Sequence, residues 1–94
     1  MAERKKYDER LIRVGMLLES KRKALGEQYK KREKFIELRA EELFDGEEWI
    51  SLRHLVNIEL GKNWISIEKL IILAVALEID ATDLFDEIKK VYQM

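Results

Sequence analysis

Residues 51–63 read SLRHLVNIELGKN, a short helix that carries its own start, apolar stripe and stop. Ser51 suits an N-cap, because its hydroxyl can accept a hydrogen bond from a free amide of the first turn. Leu55 and Ile58 repeat at i, i+3, and Leu52 stands a turn earlier, so the three are expected to share a face. Gly61 supplies a left-handed stop, and Lys62 follows where a cation suits a helix C-terminus. The opposite face offers Arg53, His54 and Asn57. A short helix with one dry side and one donor-rich side is suited to a DNA major groove.

The stretches on either side must supply helices too. The chain has no proline and four glycines in 94 residues, so few positions interrupt helical runs of Leu, Ile, Glu and Lys. Residues 1–7 are polar and are expected to form a loose arm; residues 8–94 are expected to form one domain with a modest core. Over residues 8–25, Leu11, Val14, Leu18, Lys21 and Leu25 lie near one stripe, and Gly26 ends the helix. Residues 35–44 continue as helix until the Asp45-Gly46 stop, and Trp49 is expected to plug the corner that follows. Ser66 is expected to cap a helix over residues 67–77 that is apolar almost all round, which predicts central burial or a subunit interface. Trp64, beside Ile65, is expected in the core. Asp80 should cap a last helix whose Leu84, Phe85, Ile88 and Val91 form a stripe larger than one short helix must hide. Leu84, Ile88 and Val91, with part of residues 70–77, therefore predict a two-fold homodimer interface.

Ser51, Leu55, Ile58, Glu59, Gly61 and Lys62 resemble the S-x-x-x-[IL]-x-x-[IV]-E-x-G-K signature of the Cro/phage-repressor (XRE) helix-turn-helix family. The likeness continues through Ser66, Leu70, Ala74, Leu77, Ile79 and the Leu84-Phe85 pair, and covers about residues 10–86. The resemblance implies an all-α, five-helix lambda-repressor-like helix-turn-helix domain that acts as a dimer on double-stranded DNA. It implies an ion pair between Arg22, on the first helix, and the signature carboxylate, Glu59. It implies base contacts from Leu52, Arg53 and Asn57, and backbone contacts from Arg32, Ser51, His54 and Lys62. The chemistry of these side chains suits that division. Arg53 can fork onto guanine O6 and N7, Asn57 can pair with adenine N6 and N7, and Leu52 can touch a thymine methyl. Ser51 sits at a helix N-terminus, where free amides favour a phosphate.

The chain departs from that family between the second and third helices. Fifteen steps separate Ile36 from Ser51, where the family takes roughly six. The insertion brings Glu41, Glu42, Asp45, Glu47 and Glu48 near the DNA-facing helix. Charge is divided along the chain. Thirteen Lys/Arg stand against seven Asp/Glu through Arg39, and five against twelve after it, for a net charge of −1. That asymmetry predicts a basic face and an acidic one.

No catalytic residue is expected. Cysteine is absent, and His54 has no second histidine with which to build a metal pair, so neither a metal nor another cofactor is called for. No nucleophile or glycine-rich phosphate motif is present. The longest apolar run, residues 70–77, is too short to cross a bilayer, and no apolar signal region follows Arg4, Lys5 and Lys6. A cytoplasmic location is the default expectation. The functional expectation is a sequence-specific DNA-binding transcriptional regulator, a repressor, that reads the major groove with residues 51–60. The alternative is a helical protein–protein interaction module, antirepressor-like or antitoxin-like, that meets a protein partner through residues 41–49.

Overall fold

Short polar side chains start four of the five α-helices. The computed structural model describes residues 8–94, so the arm expected over residues 1–7 lies outside the described residues. The Asp8 carboxylate accepts from the Arg10 amide at 2.8 Å and opens α1, Glu9–Ala24. Ser51 Oγ accepts from the His54 amide at 3.0 Å and opens α3, Leu52–Glu59. Ser66 Oγ does the same for the Lys69 amide at the start of α4, Ile67–Ala76. Asp80 receives the Thr82 and Asp83 amides at the start of α5, Ala81–Tyr92. The exception is α2, Arg32–Leu43, whose capping position is held by Lys31, a side chain with no oxygen to offer. A 3-10 turn, Glu27–Tyr29, joins α1 to α2. The described residues are all-helical, with five α-helices and no strand among them.

The centre of the fold is α1, which packs against both α5 and α3. Val14 and Leu18 of α1 enter one core with Phe35, Leu55, Ile58, Leu73, Leu84 and Ile88. Where α1 crosses α3, the packing leaves no room for a side chain. A Cβ on Gly15 would overlap the Glu59 carbonyl and lie 2.7 Å from the Ile58 oxygen. Gly61 ends α3 at φ +79°, and a Cβ there would lie 2.7 Å from the Ile12 Cα. Two glycines thus let the C-terminal end of α3 sit directly on the α1 backbone.

The extra residues between the second and third helices are divided. α2 runs 12 residues, and residues 44–51 connect it to α3. The Gly46 amide turns back to the Ala40 carbonyl at 2.8 Å, with Asp45 and Gly46 both at positive φ. Trp49 fills the corner. It stacks on Phe44 at 5.1 Å between centroids and meets Phe35 edge-on, and its Nε1 donates to the Ile36 carbonyl at 3.0 Å.

Four expectations need correction. Trp64 is not in the core: it is 54% exposed and lies against Tyr92, whose ring also carries the Arg10 guanidinium. Leu84 and Ile88 do not line an outer stripe. They are 0% and 4% exposed, because α1 and α4 both pack on α5 and consume that face. α4 is not buried all round either. Leu70, Leu73, Ala74 and Ala76 face inward, while Ile67, Ile71 and Val75, four residues apart, face outward with Phe85 of α5 also exposed. Finally, Leu52 does not share the dry face of Leu55 and Ile58. It is 40% exposed, because α1 crosses the far end of α3 and leaves Leu52 at the near end uncovered.

Candidate nucleic-acid interface

The C-terminal end of α3 is anchored by charge as well as by close packing. Glu59 is buried, so its carboxylate must find cationic or N–H partners inside the fold. Arg22 of α1 meets it in a two-pronged contact, Nε to Oε2 at 2.8 Å and Nη2 to Oε1 at 2.9 Å. Arg22 Nη1 donates to the Tyr29 and Lys30 carbonyls, which fixes the 3-10 turn on the same group. Arg32, at the start of α2, adds a third donor, Nε to Glu59 Oε1 at 2.7 Å. Glu19 stands 3.8 Å from Arg22 and 3.6 Å from Arg32, so two cations face two carboxylates. One buried carboxylate therefore ties together α1, the 3-10 turn, α2 and α3. Arg32, expected on DNA backbone, has its Nε committed to this cluster, and a phosphate could engage only its remaining donors.

Beside the cluster lies an open groove of about 370 Å³ between α1, the 3-10 turn, α2 and α3. Lys23, Lys30 and Lys31 give it an excess of positive charge over Glu19 and Glu33, and Leu52 and Val56 form its α3 wall. The exposed side of α3 is less polar than the sequence pattern suggested. Residues four apart on a helix stack on one face, so Leu52, Val56 and Leu60 make an aliphatic ridge there. Arg53 is exposed and Asn57 half-buried along its flank. Arg53 has no ion pair or hydrogen bond among the described residues, so the carboxylates of Glu47 and Glu48 do not occupy it.

The remaining expected contacts do not all converge. Ser51 is exposed at the α3 N-terminus, with its hydroxyl already in use as the cap. Lys62 is exposed just past Gly61, its amide donating to the Asn57 carbonyl. His54 turns away from Arg53 into a separate recess shared with Glu48, Ser51 and Lys69. Leu52, Arg53 and Asn57 thus share the exposed side of α3, with the lysine groove beside it, while His54 faces α4.

One polar centre was invisible in the sequence pattern. Arg39 of α2 is buried, with its guanidinium 4.4 Å from the centroid of the Tyr29 ring. It donates to Glu42 at 3.1 Å and to Glu78 at 2.6 Å, and its Nε has no partner among the described residues. Glu78 sits at φ +60° in the turn between α4 and α5, so Arg39 links α2 to that turn. Tyr29 donates its hydroxyl to Glu42 at 2.8 Å, and that carboxylate, with burial, raises the phenol above its ordinary pKa. An arginine in a charged stretch between Leu38 and Ala40 gave no periodic signal of burial.

Among the described residues, no group of three His, Cys, Asp or Glu side chains could hold a metal ion, and no helix is long and apolar enough to cross a membrane. Comparison of the chain with protein-family models, curated proteins and solved structures gave no match.

Proposed function

We propose that this chain is a sequence-specific DNA-binding transcriptional regulator, a five-helix lambda-repressor-like helix-turn-helix domain in which α2 and α3 form the motif. The observation that carries the reading is Arg53. Its side chain has no ion pair or hydrogen bond among the described residues, and it stands on the exposed side of a helix whose other end is fixed in the core, beside a groove with excess lysine. Direct readout needs such an arrangement: rigid support, free donors, and nearby cations for the backbone. α3 enters the major groove, Arg53 forks onto a guanine, Asn57 meets an adenine, and Leu52 touches a thymine methyl. Lys62 and the groove lysines lie along phosphate. Arg32 contributes through whatever donors Glu59 leaves open, and His54 only if its ring swings out of its recess. The exposed Ile67, Ile71 and Val75 of α4 supply an apolar surface on which a second copy packs once both are held on a two-fold site. On this reading it represses by occupying its site.

Selection of bound duplexes from a random library tests the reading. Recovery of a two-fold motif supports it, and recovery of nothing above background at low salt sinks it.

The ridge of Leu52, Val56 and Leu60 favours a second reading, a protein-interaction module. Two of these aliphatic side chains are at least 40% exposed, and a helix devoted to base edges has little use for three. In that case the ridge packs into a partner and Arg53 borders the contact.

A further inference from the structure

α2 carries its charge against its own dipole. Lys30, Lys31 and Arg32 outnumber Glu33 at its N-terminal end, where free amides already concentrate positive charge. Glu41, Glu42 and Asp45 crowd its C-terminal end, where the free carbonyls are negative, and its last turn holds no base. Such an arrangement weakens an isolated helix, and only part of it is met within the chain: Lys30 pairs with Glu27, Arg32 with Glu59 and Glu42 with Arg39, while Lys31 at one end and Glu41 and Asp45 at the other have no ion pair among the described residues. Both ends are open to solvent. At the acidic end, Glu47 and Glu48 continue the charge through the connection to α3, and Leu43 is exposed among them. At the basic end lies the groove, with its lysines and its aliphatic wall of Leu52 and Val56. A helix of 12 residues holds the two ends about 18 Å apart.

We infer that the acidic corner, residues 43–48, of one copy docks in the basic groove of a second copy. Leu43 meets Leu52 and Val56, and the carboxylates of Glu47 and Glu48 face Lys23, Lys30 and Lys31. Because corner and groove lie at opposite ends of one helix, two copies can exchange the contact about a two-fold axis with their α2 helices antiparallel. That arrangement closes, so it gives a dimer rather than a chain. The contact covers Leu52 and the groove lysines, and so excludes DNA from the same face. This last consequence rests on the proposed DNA reading; the self-association does not.

Sedimentation equilibrium of the full chain without DNA tests the contact. At about 50 mM salt the mass should exceed the 11.2 kDa of one chain, and association should weaken about tenfold by about 500 mM as screening grows. Lys30→Glu/Lys31→Glu and Glu47→Lys/Glu48→Lys should each abolish it, and an equimolar mixture of the two variants should restore it. These side chains are exposed, and a thermal melt matching the parent shows that each variant is folded; Lys30→Gln/Lys31→Gln replaces the first if it is not. A monomer at both salt concentrations overturns the inference and leaves the groove to DNA or to an acidic segment of another protein. Association that survives both reversals also overturns it and moves the contact to Ile67, Ile71 and Val75. A strict monomer that still binds a random duplex sinks only this inference, whereas a salt-sensitive dimer that binds no duplex sinks only the DNA reading.

Discussion

The last turn of α3 is gripped on several sides, whereas its first turn sends Leu55 into the core and leaves Leu52 and Arg53 exposed. Glu59 at one end is 3% exposed and Leu52 at the other 40%. At the gripped end, Gly15 and Gly61 bring α1 and α3 into backbone contact, and two arginines close on one carboxylate. At the open end, the Arg53 side chain has no partner among the described residues and Leu52 only borders a groove. The difference shows how a small domain can present a helix: it anchors one end deeply and leaves the outer side of the other free of packing. Side chains at the gripped end should therefore govern stability, and those at the open end should govern binding.

The largest expected effect lies at the gripped end. Arg22→Ala removes four hydrogen bonds and leaves Glu59 with Arg32 alone, so it should cost about 3 kcal/mol. A thermal melt within a degree or two of the parent would break the comparison. Gly15→Ala should come next. It gains about 1 kcal/mol of helix propensity but drives a methyl into the α3 backbone, for a net loss of about 2 kcal/mol in urea unfolding. A stabilised variant would mean that the helices part freely and the end is not gripped.

A smaller effect belongs to Tyr29, whose carbonyl Arg22 holds. Its raised pKa means that the folded state favours the neutral phenol. That contribution is fully present below the ordinary tyrosine value, about 10, and is lost as pH rises through the raised value. Tyr29→Phe should therefore flatten the alkaline fall in stability relative to the parent. Parallel stability curves from about pH 9 to 11 would remove the Glu42 contact as the cause. The smallest effect on stability should come from Arg53→Ala, within about 0.5 kcal/mol, as for other surface positions without a partner. A larger loss would show that the open end is structural after all.

Much of the fold was legible because helix ends are written locally. Ser51, Ser66 and Asp80 each precede an apolar-periodic run, and each is a cap in the structure, whereas Asp8, read as part of the first helix, proves to be its cap. Gly61 and Asp45-Gly46 announced their stops through the positive φ they adopt. What was not legible depends on residues far apart in sequence. Gly15 reads as a weak spot in a helix until α3 is seen lying on it. Trp64 reads as core beside Ile65, but its neighbour is Tyr92. Leu84 and Ile88 looked surplus because the stripe of one helix does not reveal that two others cover it. Arg39 sits in a charged run, and its burial follows from Tyr29 and Glu78, ten residues before and thirty-nine after it. The candidate site was legible in part. The outward position of Arg53 follows from the α3 stripe, but the commitment of Arg32 to Glu59 and the turning of His54 toward Lys69 arise only from packing.

Binding isotherms of the parent and Arg53→Ala, on a selected duplex and on a random one across a salt series, test the central claim most directly. The account predicts that the parent binds both, with affinity falling as salt rises. It predicts that Arg53→Ala loses about 1–3 kcal/mol on the selected duplex, little on the random one, and keeps the parent salt slope. Equal losses on both duplexes would reduce Arg53 to a phosphate contact. No binding by the parent to any duplex at low salt would contradict the claim and give the open end of α3 to a protein partner.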